Sequence, residues 1–290
     1  MILKKSVIGL IVATSLASVS AHAWTNGDFN GNVNIGGNIA NDIYSQKWAW
    51  SIGSGLDNFS NKISEMTENS TKLSITMTED KAILLGKTNE AFWAPSTGVG
   101  AVPNISFTNY KGEAVTLENE TSSGRVSFTL PVKDSSGAEE VGQLSVNAVA
   151  VGYMVTGAST GPAVLFNSMF AENSGNVFWG GIQTNRQNAI QSGKAAASKV
   201  LTFGGVSSGE LIGQLQQVHS NIPNIPLDAS YVAVTDWTRP VESAAFPDSV
   251  AAAGYALGIE NGQSIDLSFN NQVTKTTDWV APLNVQVTYQ

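Results

Sequence analysis

The sequence predicts a mainly β protein built as a β-sandwich. Two observations carry that prediction. Short segments in which apolar residues recur at every second position follow one another along most of the chain, with clusters of Gly, Asn, Asp and Ser between them. Charged residues make up only 13% of the chain, so Ser, Thr, Asn and Gln supply the polar half of each alternation, as suits the wet face of a sheet.

The first 23 residues stand apart. Lys4 and Lys5 precede an apolar run from Val7 to Val19, and Ala21-His22-Ala23 is a small-x-small cleavage pattern, the layout of a secretory signal peptide. The mature chain is expected to begin at Trp24 and to be exported, since the run is too short and too often broken by Ser and Thr to span a bilayer.

Immediately after the expected cut lies GDFNGNVNIGGNIANDIY, which invites two readings. As a calcium loop headed by Asp28-x-Asn30-x-Asn32 it needs glycine at its sixth position and glutamate at its twelfth, and holds Val33 and Ile39 there instead. As a strand it puts Phe29, Gly31, Val33, Ile35, Gly37 and Ile39 on one face and Asp28, Asn30, Asn32, Asn34, Gly36 and Asn38 on the other. The strand reading is preferred, with no metal.

Further along, Trp48-Ala49-Trp50 puts two indoles on one strand face and marks the start of the folded body. Alternation then recurs at Leu73-x-Ile75-x-Met77, Ile105-x-Phe107, Val115-x-Leu117, Val126 to Val132, Leu144 to Ala150 and Ile265-x-Leu267-x-Phe269. It ends at Leu283, Val285, Val287 and Tyr289, a strand running to the last residue, which is expected to lack a neighbour on one side. The exception to the β pattern lies at about 187–222. Gln187 to Val200 is rich in Ala, Gln and Lys, and Ser207-Ser208-Gly209-Glu210 has capping-box spacing ahead of Leu211, Leu215, Val218 and Ile222. Two inserted helices are expected there. Pro223 to Pro247 reads as long loops or edge strands.

Composition excludes several function classes. With 15 basic and 23 acidic residues the net charge is −8, and losing Lys4 and Lys5 takes it to about −10, a surface that repels nucleic acid and anionic membranes. There is no cysteine, so Cys nucleophiles and thiolate zinc sites are out. His219 is the one histidine after the leader, placed on an amphipathic helix with no nucleophile elbow elsewhere. Glu139-Glu140 are adjacent and point apart, which suits a solvated loop rather than a glycosidase pair. The Asn-x-Ser/Thr sites at Asn58, Asn69, Asn104 and Asn119 bear only on a glycosylating pathway. No enzyme and no cofactor is expected.

Taken together, several stretches resemble the major fimbrial subunits of the FaeG and ClpG type, adhesive pilins of the chaperone/usher pathway. They are Trp24 with Gly27-Asp28-Phe29-Asn30-Gly31, Lys47-Trp48-x-Trp50, Leu84-Leu85-Gly86, Glu90-Ala91-Phe92, Tyr255-Ala256-Leu257-Gly258-Ile259 with Asn261-Gly262-Gln263, and Trp279-x-Ala281-Pro282-Leu283-Asn284-Val285 with Thr288-Tyr289. The resemblance spans the mature chain and thins between Val151 and Val250. It implies an incomplete immunoglobulin-like domain over 43–290 and a donor-strand extension over 24–42. A periplasmic chaperone strand would fill the groove first, and after passage through an outer-membrane usher the donor strand of another copy would replace it. The product would be a surface fimbrium.

The same resemblance implies a host glycoconjugate as ligand, bound in the divergent central region. Phe178 and Trp179, beside Gly180-Gly181, are the candidates for a sugar-stacking platform. The other use of the pair is to pack the helices onto the sandwich. A reading of a different class, a monomeric exported lectin or glycan-active enzyme with a closed sandwich, differs in assembly state: one band on an unboiled gel rather than a ladder.

Overall fold

The computed structural model describes residues 44–93, 100–120, 123–137, 139–158, 164–218, 238–239 and 249–290. The leader, the donor segment Phe29 to Ile39, His219, Ile222 and the proline-rich stretch from Pro223 to Pro247 fall outside these, apart from residues 238–239. The strands are β1 (Trp48–Ile52), β2 (Lys72–Thr76), β3 (Lys81–Thr88), β4 (Phe92–Trp93), β5 (Pro103–Asn109), β6 (Ala114–Val115), β7 (Glu118–Asn119) and β8 (Arg125–Asp134). There follow β9 (Glu140–Ala158), β10 (Val164–Met169), helices α1 (Gly193–Thr202) and α2 (Ser208–Val218), β11 (Thr238–Arg239), β12 (Ser249–Ile259), β13 (Ser264–Phe269), β14 (Trp279–Val280) and β15 (Leu283–Tyr289). The chain is mainly β, as its alternation predicts.

The long strand β9 is the spine of the larger sheet. One of its edges pairs with β8 as far as Val149 and then with β10 from Tyr153; the other pairs with β13 and then with β12. From β12 the sheet continues through β3 to β1. A smaller sheet, β15-β5-β6, lies opposite.

Two cores follow from this layout. Between the sheets, Val126, Phe128 and Leu130 from β8, Leu144 and Val146 from β9, and Ile105 and Phe107 from β5 form the sandwich interior. On the opposite face, the second half of β9 and β12 is covered again, by the helices. There Val149, Val151, Tyr153 and Val155 alternate with the sandwich-facing Ala148, Ala150 and Met154, and they pack with Ala196, Val200, Leu211 and Leu215. The helices approach closely because β12 turns small residues toward them: a Cβ on Gly254 would come within 2.5 Å of Val206 and 2.6 Å of Tyr153.

The helices begin where side chains can cap them. Ser192 Oγ accepts from the Ala195 N–H at the start of α1, and Ser207 Oγ accepts from the Glu210 N–H at the start of α2. The Glu210 carboxylate pairs with Lys87 on β3. Helix α1 starts later than the Ala/Gln/Lys composition suggests. The Gln191 side-chain amide donates to the carbonyls of Arg186 and Ala189, which winds the preceding residues into a turn instead. On α2, Leu211 and Leu215 are buried as expected, whereas Val218 is largely exposed.

Candidate functional site

The sandwich is open along one side. Strand β1 pairs with β3, and β15 pairs with β5; among the described residues neither has a partner on its other edge. The inward residues of β15, Leu283, Val285, Val287 and Tyr289, pack against the sandwich core yet remain only half-buried, while Asn284, Gln286 and Thr288 point to solvent. On β1, Ile52 shares the inward face of Trp48 and Trp50 and is nevertheless 67% exposed. Apolar side chains aimed at a core but left half in water mark a place that no described strand covers.

The two ends of this groove differ. One end is closed by aromatic rings. Trp48 is buried and stacks on Trp50 at 6.4 Å between centroids; Phe178 meets both edge-on, and Tyr255 lies 5.9 Å from Trp50. The Trp50 indole N–H donates to the Tyr289 hydroxyl at 2.9 Å, a link between the two free edges. Burial pushes the Tyr289 phenol above its ordinary pKa, and the Trp50 hydrogen bond partly offsets that.

The other end opens into a cavity of about 880 Å³. Its floor is the sandwich core itself, Phe128, Leu130, Leu144, Val146, Ile259 and Ile265. Its rim is the stretch from Gly53 to Phe59 after β1 and the stretch from Trp279 to Leu283 before β15, where Phe59 and Trp279 stack with an interplanar angle of 2°. The floor residues are themselves buried, so the cavity is a space under the rim lined by the core, with an apolar floor suited to an extended apolar segment. Among the described residues no cluster of His, Cys, Asp or Glu could hold a metal.

The pair Phe178 and Trp179 divides. Phe178 is fully buried with a left-handed backbone (φ 66°), its ring among Trp48, Trp50 and Tyr255. It presents no face to a sugar, and it serves the sandwich core rather than the helices, which corrects both expectations for that residue. Trp179 points outward and is 40% exposed. The alternation singles out Tyr289 as part of the terminal strand but not its contact with Trp50, and it does not single out Phe59 or Ile52 at the groove; the aromatic pattern Trp48-x-Trp50 is the one signal that leads to the closed end.

A free sheet edge with a half-buried apolar face beside a core-lined cavity is compatible with a subunit that associates through its strands, and comparison with known proteins gives the family. The family described as "Fimbrial, major and minor subunit" matches residues 3–290. The chain belongs to this K88-type fimbrial subunit family. It is 44% identical to the K88 fimbrial protein AD of Escherichia coli over 99% of this chain and 100% of that one, and 43% identical to K88 fimbrial protein AB with the same coverage. The F41 fimbrial protein of Escherichia coli is 29% identical, again over 99% of this chain and 100% of its own. These fimbrial subunits match this chain through both the sandwich and the helical insertion, so the fold described above is that of a fimbrial subunit.

Proposed function

We propose that the groove between β1 and β15 is the acceptor for the segment Phe29 to Ile39 of another copy, and that the protein builds a surface fimbrium by donor-strand exchange. The observation that carries this reading is the half-buried inward face of β15 beside an edge unpaired among the described residues and a cavity lined by the core. The segment has matching character, one face made of Phe29, Gly31, Val33, Ile35, Gly37 and Ile39. A strand laid on β15 would supply main-chain hydrogen bonds along that edge and bury these side chains in the groove. Sheltering Phe29, Val33, Ile35 and Ile39 contributes roughly 6–12 kcal/mol before the ordering of the strand is subtracted, comparable to the whole stability of a domain.

A subunit with its groove empty exposes core and sheet edge, so the reading requires a temporary occupant during export. A periplasmic chaperone strand fills that role, and an outer-membrane usher exchanges it for the donor segment. At the cell surface the fimbrium binds a host glycoconjugate, with Trp179 as the exposed aromatic available for stacking on a sugar.

The test is the double substitution Val33→Asp with Ile35→Asp in cells that assemble the fimbrium. The expected result is loss of heat-labile polymer with the chaperone-bound subunit still present. Long fibres from this variant would remove the segment as donor. A wild-type protein that runs as a single unboiled band would favour a closed monomeric lectin instead.

A further inference from the structure

The cavity of about 880 Å³ is large, yet its floor is sheltered: Phe128, Leu130, Leu144, Val146, Ile259 and Ile265 line it and are all buried. Two stretches of chain roof them, Gly53 to Phe59 from the β1 side and Trp279 to Leu283 from the β15 side. The second is tied down. Trp279 and Val280 pair with Asp134 and Lys133 on β8, and the Asp278 carbonyl accepts from the Ser135 N–H.

The first stretch is a strap. Its last ladder bond runs from the Gly53 N–H to the Ile83 carbonyl at 3.0 Å, and bonding resumes where the Asn61 amide and the Lys62 N–H donate to the Glu65 carboxylate. Between these anchors the backbone groups of residues 54–61 make no hydrogen bond among the described residues. The Asn58 amide bonds only to its neighbour Asp57. Gly55, with φ 78°, takes the left-handed turn by which the strap leaves β1. From there only Leu56 and Phe59 pack against the core, each half-buried, and the other residues of the strap are exposed. What joins the two halves of the roof is the Phe59 ring, parallel to the Trp279 indole at 6.4 Å between centroids. A segment with no backbone bonds and two half-buried anchors belongs to the part of a fold that opens most readily.

Taking the groove as the acceptor proposed above, we infer that the strap 54–61 is a lid, latched by Phe59 on Trp279 and hinged at Gly55 and Lys62, which lies closed over the cavity until an apolar segment enters beneath it. The closed lid keeps water from the floor, although it leaves the inward face of β15 half-buried. Opening costs little, because it gives up one ring stack and the contacts of two side chains already partly in water. The latch residue therefore sets how often the floor becomes accessible, while the fold of the sandwich is left to the ladders of β1, β3 and β8.

The chain has no cysteine, so a single thiol placed on the floor reports the lid. The test measures the rate at which a thiol reagent labels Leu144→Cys in the purified protein, with Ile265→Cys as a second floor reporter and Leu211→Cys, in the core beneath the helices, as the control for global unfolding. Adding Phe59→Ala should raise floor labelling by about tenfold or more, and Phe59→Tyr, which keeps the ring, should stay within about twofold of the parent. Labelling at Leu211→Cys should be the same slow rate in all three backgrounds. Floor labelling unchanged by Phe59→Ala, or an equal rise at Leu211→Cys, overturns the lid. Long fibres from the Val33→Asp, Ile35→Asp variant overturn the acceptor reading instead, so the two failures are distinct.

Discussion

Trp50 Nε1 and the Tyr289 hydroxyl, 239 residues apart in sequence, meet at 2.9 Å and join the free edge of β1 to that of β15. The bond is between neutral groups in a half-buried place, so its removal leaves an indole N–H short of an acceptor. Tyr289→Phe should cost about 0.5–1.5 kcal/mol, read as a lower melting temperature of the purified protein. Unchanged melting would mean that water replaces the phenol without loss.

Gly86 on β3 lies directly beneath the Trp50 ring. A Cβ there would come within 2.4 Å of one ring carbon and 2.7 Å of the next. Because Trp48, Phe178 and Tyr255 surround the indole, the ring has little room to yield, and Gly86→Ala should destabilise by about 1–3 kcal/mol. Denaturant unfolding checks the magnitude. Loss of the tyrosine-to-tryptophan contact in the spectrum of near-ultraviolet circular dichroism checks the cause.

These positions show how far the sequence could be read. Strands with one wet face, β2, β5, β8, β13 and β15, announce themselves through alternation, and Leu283 to Tyr289 could be placed in the groove wall from pattern alone. Strands covered on both faces do not alternate. β12 is buried along nearly its whole length, and its Ala-Ala-Ala-Gly-Tyr-Ala-Leu-Gly run carries small residues where the helices press on it. The second half of β9 is hidden for the same reason, so its alternation is legible only as far as Ala150. The closed end of the groove was illegible for another reason. It is made by residues from β1, β12, β15 and the loop at Phe178, and no spacing in a sequence records which distant rings will touch.

Besides its buried leucines, helix α2 is held by a buried amide. Gln214 Nε2 donates to the Thr88 carbonyl at 2.8 Å, and the Thr88 hydroxyl donates to Gln214 Oε1 at 2.7 Å while accepting from the Ala253 N–H at 3.1 Å. The nearby Lys87–Glu210 pair is exposed and contributes little. Gln214→Leu should cost about 1–3 kcal/mol by leaving the Thr88 groups unpaired. Amide exchange should then accelerate over Leu211 to Val218 before it does over β9. Equal acceleration in both would show that the helices and the sheet unfold as one.

Alkaline pH should unfold the body more sharply than its carboxylates suggest. Tyr153, donating to the Val206 carbonyl, and Tyr255, donating to the Gly181 carbonyl, are both fully buried, and burial pushes each phenol well above its ordinary pKa. The unfolded chain ionises both near pH 10 while the folded one keeps its protons, so their contribution is complete below that pH and is lost as pH rises above it. Stability should fall by about 1.4 kcal/mol per pH unit for each tyrosine above pH 10. Tyr255→Phe should flatten that slope by about half in a series of urea midpoints.

The last prediction separates the two neighbours Phe178 and Trp179, which the sequence could only treat together. Phe178 fills the sandwich core under Gly152, where a Cβ would come within 2.8 Å of its ring, and it contacts Trp48, Trp50 and Tyr255 at once. Phe178→Ala should therefore cost about 3–5 kcal/mol and disturb the closed end of the groove with it. Trp179 turns the other way. Its carbonyl accepts from the Ile105 N–H and so fixes the backbone, but its indole is 40% exposed and adds little to the core. Trp179→Ala should change stability by less than about 1 kcal/mol and leave polymer formation intact. If the indole stacks on a receptor sugar, the same substitution should weaken fimbria-mediated attachment to glycan-bearing cells by about tenfold or more. Fimbriae of normal length with undiminished attachment would place the receptor surface elsewhere on the subunit.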